Sequence, residues 1–588
     1  MSATVILGAT VQAVRTNADR RDFERWLVHP RRALAVDTET AGLRWHDPVR
    51  LVQFGDCDGG WAIDPNEDLG LIEGALAKAP RLVVHSAQFD LPRLARLLGD
   101  WDPKALLDRL ARKTLDTRLM AHVLDPRGRE VGAVGHALKD LAAAHLDCSA
   151  ADSQKILKDR FKQLRLKDGW AEIDVWDDAF WTYGVMDTVL TARLLEAMGP
   201  QVNQRSLGDL VKWEHHTQRL TMAMSMVGIA VDLPLAYAWD EDLGTRQERH
   251  EATAASMGVA NVNSTRQVAA ALSERGVVLT EVTDSGETKV DKKVLAGAND
   301  PLADAVLAAK KAAKSRTMVA TIIEHGEADG RVHASINSLR AITARMSVQN
   351  PALQTLSAQD WEMRSLLIAD PGEVFVSADY AAIELRVVAA LAQEPSMMAA
   401  FKAGEDIHQS VADRLGIERK VAKAVNFATI YGGGAETIAR QADIDKVEAG
   451  AAVHGFKREY ARFQKWSRSL QDSIQFSSDG ILTTRTGRPI PIDRNYSWRA
   501  CNYAVQSAAR DVLCGALTEL DKANLIDPVR LPIHDELLCS VAEDEAEDYL
   551  RQLTETMSGV LDGVDIVAEG AVIGRAWGDA YRPKAPDG

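Results

Sequence analysis

The segment Ser377-Ala378-Asp379-Tyr380-Ala381-Ala382-Ile383-Glu384-Leu385-Arg386 decides how this chain reads. Glu373 to Ala378 predicts a strand, and Ala381 to Leu391 predicts a helix. An aspartate at such a strand end projects into the open cleft above a sheet. Far along the chain, Leu531-Pro532-Ile533-His534-Asp535-Glu536-Leu537-Leu538 sets two apolar strands around a polar tip. That is the pattern of a hairpin presenting Asp535 beside Asp379. Alone, His-Asp-Glu reads as a solvated turn, and its weight comes from the other segments.

The third segment runs Arg419-Lys420-Val421-Ala422-Lys423-Ala424-Val425-Asn426-Phe427-Ala428-Thr429-Ile430-Tyr431-Gly432. Arg419, Lys423, Phe427 and Tyr431 recur every four residues, so they lie along one gently rotating helix face. Two cations followed by two aromatics suit a nucleoside triphosphate: the cations meet phosphates, the aromatics cover base and sugar. Gly432-Gly433-Gly434 is expected to end the helix.

The first two hundred residues alternate short apolar runs with helical stretches, an α/β signature. Ala33 to Asp37 and Leu82 to His85 read as buried strands, and Ala179 to Leu195 as a helix. Asp37-Thr38-Glu39 closes the first strand; residues two apart share a face, so both carboxylates reach one point. Asp90 follows in His85-Ser86-Ala87-Gln88-Phe89-Asp90, and Tyr183 and Asp187 share a helix face four residues apart. Four acids and a tyrosine on converging elements point to two divalent cations, Mg²⁺ or Mn²⁺. Such a pair, about 3.5–4 Å apart, clamps the attacking and leaving oxygens of a phosphodiester. From about Gln201 to His325 the pattern is mostly helical, with Ser264 and Gln267 at capping-box spacing. Further strands are expected at Arg331 to Ile336 and around His534 to Glu536, and a second helical block from Glu394 to Ser477.

Composition bounds these readings. At 588 residues the chain is several domains, given roughly 100–200 residues each. With 46% hydrophobic and 26% charged residues it has material for large cores, which excludes wholesale disorder, collagen and coiled coil. The apolar stretch Val5 to Val14 is broken and lacks a basic leader, so it is not read as a signal peptide. Runs such as Val387 to Ala392 fall short of the roughly 20 residues that span a bilayer. A soluble, cytoplasmic chain without a membrane partner is expected. The net charge of −15 argues against a simple basic coat on nucleic acid but leaves room for a local basic cleft, expected to include Arg345, Arg419 and Lys423. Cys57, Cys148, Cys501, Cys514 and Cys539 form no C-x-x-C pair, which speaks against a zinc site or disulfide framework.

Together the C-terminal segments resemble motifs A, B and C of family A DNA polymerases, and the N-terminal ones resemble the proofreading 3′→5′ exonuclease domain of that family. The resemblance runs from about Leu34 to Trp577 in family order and includes Thr343 to Ser347, Gln354, Asp406-Ile407-His408, Arg499, Asn502 and Gln506. It implies an α/β and α+β multidomain chain: a ribonuclease-H-like exonuclease (1–200), thumb (201–330), first part of the palm (331–395), fingers (396–490) and second part of the palm (491–588). It implies DNA synthesis from dNTPs on a primer-template, with Asp379 and Asp535 holding two Mg²⁺ ions. Arg419 and Lys423 steady the phosphates, Lys423 supplies a proton to pyrophosphate, and His408 is a further phosphate contact. Phe427, Tyr431 and Glu384 sit on base and sugar, with Glu384 one helical turn past Asp379. Arg345, Gln354, Arg499, Asn502, Gln506 and Glu536 touch DNA, Glu536 being a secondary acid near the site. For the exonuclease it implies Asp37, Glu39, Asp90 and Asp187 as metal ligands and Tyr183 as the residue that positions the attacking water.

Three positions depart from the family pattern: Ser86 where many relatives carry asparagine, Ala428 for a usual glycine, and Ser507 where cellular relatives often have glycine. Ser507, and the absence of a 5′ nuclease ahead of the exonuclease, resemble the bacteriophage branch; that origin implies host cytoplasm and replisome partners that the sequence does not identify. The rivals are a single-subunit RNA polymerase, against which Glu384 and the exonuclease argue; a ribonuclease D-like trimming enzyme, which accounts only for the N-terminal part; and a non-catalytic DNA-binding scaffold, which would not need the metal ligands.

Overall fold

The computed structural model describes residues 4–99, 102–146, 151–279, 281–282, 288–357 and 360–582, so Cys148 lies outside the described residues. The N-terminal part is a seven-stranded mixed sheet in the order Thr4–Ile6, Ala9–Ala13, Gly59–Ile63, Val49–Gly55, Leu34–Thr40, Leu82–Val84, Thr114–Asp116. Leu34–Thr40 pairs antiparallel with Val49–Gly55 and parallel with Leu82–Val84. The period of two sorts its side chains between two cores. Leu34 and Val36 pack with Phe23, Val52 and Phe54, while Ala35 packs with Leu194, Leu195 and Met198 of the helix Asp178–Gln204. Asp37 and Glu39 have the parity of Ala35 and therefore face that helix. The strand runs on to Thr40, three residues beyond its expected end at Asp37, with a bulge between Glu39 and Thr40.

The C-terminal part is built on a four-stranded antiparallel sheet in the order Val529–Ile533, Glu536–Ala542, Glu373–Tyr380, Ala568–Gly574. Strands more than 150 residues apart are thereby brought side by side, and Asp379 lies opposite Glu536 on one neighbour and Glu569 on the other. The expected strand at Arg331 to Ile336 is two short ones, Arg331–Val332 and Ser335–Asn337. Helices from Pro395–Lys402 to Ala461–Phe476 make the second helical block. Between the two parts stand the antiparallel helices Leu233–Ser256 and Pro301–Gly326, with a small core of their own around Val259, Val268 and Leu302. Ser264 caps the helix Thr265–Glu274 by accepting from the Gln267 N–H. The Gln267 side chain accepts from Asn261 instead of returning to Ser264, so the cap is one-sided. Cys501, Cys514 and Cys539 are buried free thiols and Cys57 is half-buried and free. Among the described residues no helix is long and apolar enough to cross a membrane.

One buried ion cluster binds the halves. Glu214, on the connecting helix Gly208–Val227, accepts from Arg510 through both carboxylate oxygens (2.6 and 2.7 Å) and from Arg488. Arg510 also donates to the Ser338 carbonyl at 3.0 Å, and Asp511 accepts from Thr486 at 2.8 Å. Burial pushes the Glu214 carboxyl up, but the two guanidiniums outweigh it and hold the group down at about 2.

Glu214→Gln leaves Arg488 and Arg510 to share Asp511, 3.4 Å from each, as their buried counter-charge, and should cost about 3 kcal/mol. The native contribution is fully present above the unfolded carboxyl value of about 4.3 and is lost as pH falls towards about 2. Denaturant melts of wild type and variant should therefore differ at neutral pH and converge in acid. Equal midpoints at pH 7 would contradict the assignment.

Candidate functional site

Two carboxylate clusters stand out. In the N-terminal one, Asp37 and Glu39 come from the central strand, Asp90 from the first turn of the helix Ala87–Leu98, and Asp187 and Tyr183 from the helix Asp178–Gln204. Asp90 is pinned to the strand: its Oδ1 accepts from the Thr38 N–H at 3.2 Å and the Thr38 hydroxyl at 2.7 Å. Ser86, just before this helix, has φ +86, a conformation rarely adopted by L side chains. The turn is held by buried Asp116, whose carboxylate accepts from the Ser86 and Ala87 N–H groups at 3.0 and 2.8 Å. The Ser86 hydroxyl accepts from Arg118 at 3.1 Å.

Burial pushes the Asp37 carboxyl well up, and neighbouring Glu39 pushes it further. Burial raises Glu39 to about 8 against the pull of Lys139, and raises Asp90 with help from Asp37. Burial and the same two acids, Glu39 and Asp37, raise the Tyr183 phenol. The cluster cannot be fully ionised without added positive charge, and an all-oxygen donor set short of charge suits hard divalent cations. The positive charge the chain itself supplies comes from Lys139, ion-paired with Asp187, and from Arg93 near Asp90.

In the C-terminal cluster, Ile533 opposes Glu536, so His534 and Asp535 form a two-residue hairpin turn. His534 takes φ +58, the positive φ that a type II′ turn requires at its first position and that glycine usually supplies. This turn aims Asp535 at Asp379. Burial and then Asp535, Glu536 and Glu569 lift the Asp379 carboxyl to about 7. Burial also raises Asp535 and Glu536, and Glu536 accepts from the Ser377 hydroxyl at 2.5 Å. Burial outweighs the pull of Arg345 on Asp535 and of Arg364 on Glu536, and the carboxylate set fits divalent metal.

Glu384 sits in the first turn of the helix Ile383–Ala392, with Ala382 in the left-handed region at φ +52. Asp379 is on a strand, so the two are joined across a strand–helix corner and not by the helical turn expected. Glu384 is held from both sides, by an ion pair with Arg345 and by the Tyr431 hydroxyl, which donates to it at 2.5 Å. Burial and Glu384 push the Tyr431 phenol up to about 12. The helix Arg419–Ile430 stops one residue short of Tyr431, because Gly432 turns at φ +74 and a Cβ there would lie 2.8 Å from the Trp498 ring. Lys423 and half-buried Phe427 face outward along this helix, and Lys423 has no ion-pair or hydrogen-bond partner among the described residues.

Several expected contact residues are engaged within the chain. Arg419 pairs with Asp406 at 2.6 Å, and His408 accepts from Asn426 at 2.8 Å, its ring kept neutral by burial. Gln354 accepts from Val348 N–H (3.2 Å) and donates to the Pro532 carbonyl (3.3 Å), bracing the strand that carries the hairpin. Gln506 accepts from Thr343 at 3.2 Å, Asn502 is buried, and Arg499 stacks on Tyr496 and Trp498. Of the three residues expected in a basic cleft, Arg345 and Arg419 are therefore already paired with acids. Thr38, Lys139 and Glu569 were not singled out from the sequence, and Asp406 was named only as part of Asp406-Ile407-His408. Thr38 lies between two expected ligands, whereas Lys139 and Glu569 carry no local signal and are found only through the fold.

Among the described residues, the one group of three that brings metal-capable atoms within 4.8 Å of one another is His46, Asp329 and His333. Arg96 donates to His46 Nδ1 at 3.1 Å, so a neutral His46 carries its proton on Nε2, towards Asp329 at 3.5 Å. With Trp45 stacked on His333 at 4.6 Å, the group is a polar and aromatic clasp between the two parts.

Residues 237–579 match the DNA polymerase family A, and residues 11–203 match a 3′-5′ exonuclease family. The chain is 36% identical to a DNA polymerase of Mycobacterium phage D29, with 97% of each chain covered. It is 34% identical to that of Mycobacterium phage L5, again over 97% of each. The fold is that of the POL domain of Pol1 from M. smegmatis, solved with DNA primer-template and dNTP: TM-score 0.77 at 22% identity, covering 97% of this chain and 100% of that one.

Proposed function

The chain belongs to DNA polymerase family A and carries a 3′-5′ exonuclease domain, so it is an enzyme of template-directed DNA synthesis with proofreading, and we propose how its residues divide that work. The 1–200 region is the exonuclease, 201–330 the thumb, 331–395 and 491–588 the palm, and 396–490 the fingers. Primer-template DNA and dNTPs are its substrates, Mg²⁺ is its metal, and host cytoplasm is its place of action. The observation that carries the reading is the register that sets Asp379 opposite Glu536 and beside the Asp535 turn.

Asp379 and Asp535 hold divalent metal at the polymerase site, and Asp37, Glu39, Asp90 and Asp187 hold it at the exonuclease site. When bound, the metal lowers the pKa of the attacking hydroxyl or water and neutralises charge on the leaving oxygen. The chain's own residues do the rest. Lys423 meets the triphosphate and is placed to protonate the departing pyrophosphate. Arg419 joins it by exchanging Asp406 for a phosphate oxygen, a trade between two charge-assisted hydrogen bonds. Glu384, clamped by Arg345 and Tyr431, forms a fixed wall beneath the sugar. Phe427 stacks above it, and Tyr183 orients water at the exonuclease site.

Primer extension and trimming of single-stranded DNA, each assayed with Mg²⁺, separate the two sites. Asp535→Asn should abolish extension and spare trimming, and Asp187→Asn should do the reverse. Either variant losing both activities while folded would contradict the division. Glu384→Ala removes the sugar wall and should raise ribonucleotide insertion relative to deoxynucleotide insertion by on the order of 10–100-fold; unchanged discrimination would reject the wall. Phe427→Tyr adds a hydroxyl that can replace the hydrogen bond lost with a missing 3′-OH. It should admit dideoxynucleotides more readily in single-nucleotide insertion, and unaltered selectivity would place Phe427 outside the sugar pocket.

A further inference from the structure

Lys139 is the one ammonium group among the described residues that forms an ion pair inside the exonuclease cluster. It stands on the short helix Leu138–His145, which packs through Leu138 and Ala142 against Leu190 of the helix carrying Tyr183 and Asp187. Its Nζ pairs with Asp187 Oδ1 and lies 4.6 Å from the centre of the Tyr183 ring. The pair is nearly closed to water, with side-chain exposures of 12% for Lys139 and 11% for Asp187. A buried ammonium with its carboxylate is a strong, water-excluded contact, and breaking it on one side only is costly.

A metal ion held by Asp187 and an ammonium on the same carboxylate cannot sit there together without repulsion. A phosphodiester entering the site offers Lys139 an alternative anion, because a lysine ammonium binds phosphate as a point charge. We propose that Lys139 is a positioning residue that couples metal entry to substrate entry. Without DNA it occupies Asp187 and braces Tyr183, which weakens metal binding. With a 3′-terminal phosphodiester in place it swings to the phosphate and releases Asp187 to the metal. No bond is made or broken; the ammonium changes partner. The consequence is a nuclease that loads metal fully only when a strand end is present. This inference rests on the four-carboxylate reading given above.

The test is Mn²⁺ binding, read by electron paramagnetic resonance of free Mn²⁺, on the full chain carrying Asp379→Asn and Asp535→Asn to silence the polymerase site. Binding is measured with and without a single-stranded oligonucleotide whose terminal linkage is a phosphorothioate that resists cleavage. In the Lys139-containing chain, DNA should tighten Mn²⁺ binding by about tenfold, within the usual range of coupling between sites. Lys139→Met should bind Mn²⁺ several-fold more tightly without DNA and lose most of the DNA-dependent gain, and Lys139→Arg should restore it. Primer extension by Lys139→Met in the otherwise native chain reports that the protein is folded. Asp187→Asn identifies the site: if Mn²⁺ binding and its DNA dependence survived that change, the four-carboxylate reading and the proposal would both fall. If Asp187→Asn removed the binding but Lys139→Met matched the Lys139-containing chain, or bound Mn²⁺ more weakly, the proposal alone would be overturned.

Discussion

The antiparallel register between Glu373–Tyr380 and Glu536–Ala542 is the constraint on which the polymerase half depends. A strand's side chains alternate, so a slip of one residue would move Asp379 to the face now filled by Ala378 and Tyr380. The register is secured on both flanks, by the pairing with Ala568–Gly574 and by the two-residue turn at His534 and Asp535. Gln354 adds a brace by bonding the Pro532 carbonyl just before that turn. The positive φ of His534 is the local cost of pointing Asp535 at Asp379, and it falls where strained backbone is commonly kept, at a functional turn.

Both carboxylate clusters follow one electrostatic plan. Acids are packed closely enough, and deeply enough, that burial and mutual repulsion lift Glu39 to about 8 and Asp379 to about 7. The same physics that would make such clusters unstable in isolation makes them receptive to divalent cations. The two halves are then held in a fixed relation by contacts of the opposite kind, in which every charge meets a counter-charge. Glu214 between Arg488 and Arg510 is the deepest of these, and the His46–Asp329–His333 clasp is a second. Arg510 serves both purposes, since it also lines the cavity beside Asp535.

How much of this could be read from the sequence depends on the distance over which a signal acts. Asp37 and Glu39 were legible because a strand's period of two puts them on one face, and Asp187 with Tyr183 because a helix returns every four residues. The link between Asp379 and Asp535 was legible only because each sits at a recognisable strand end within a family pattern. Glu569 was not, since its strand is ordinary and reaches Asp379 only through sheet order. Lys139 was hidden for a similar reason: its helix is short, and nothing within it marks a partner on the helix Asp178–Gln204. The end of the helix Arg419–Ile430 was legible as well: Gly432 turns at φ +74 directly after the capping residue Tyr431, whose N–H still bonds the Phe427 carbonyl at 3.0 Å, so Tyr431 follows Arg419, Lys423 and Phe427 and comes within reach of Glu384. The engagement of Arg419 by Asp406 depends on side-chain geometry that periodicity does not carry.

The central claim is that this register places Asp379 and Asp535 within reach of shared metal. Anomalous diffraction from Mn²⁺ in crystals of the protein with primer-template DNA and a non-hydrolysable dNTP tests it most directly. The account predicts anomalous density bridging the two aspartates, with carboxylate oxygens from both at about 2–2.2 Å, the bond length of a small divalent cation. Density confined to Glu536 and Glu569, or a metal shell lacking either Asp379 or Asp535, would contradict it.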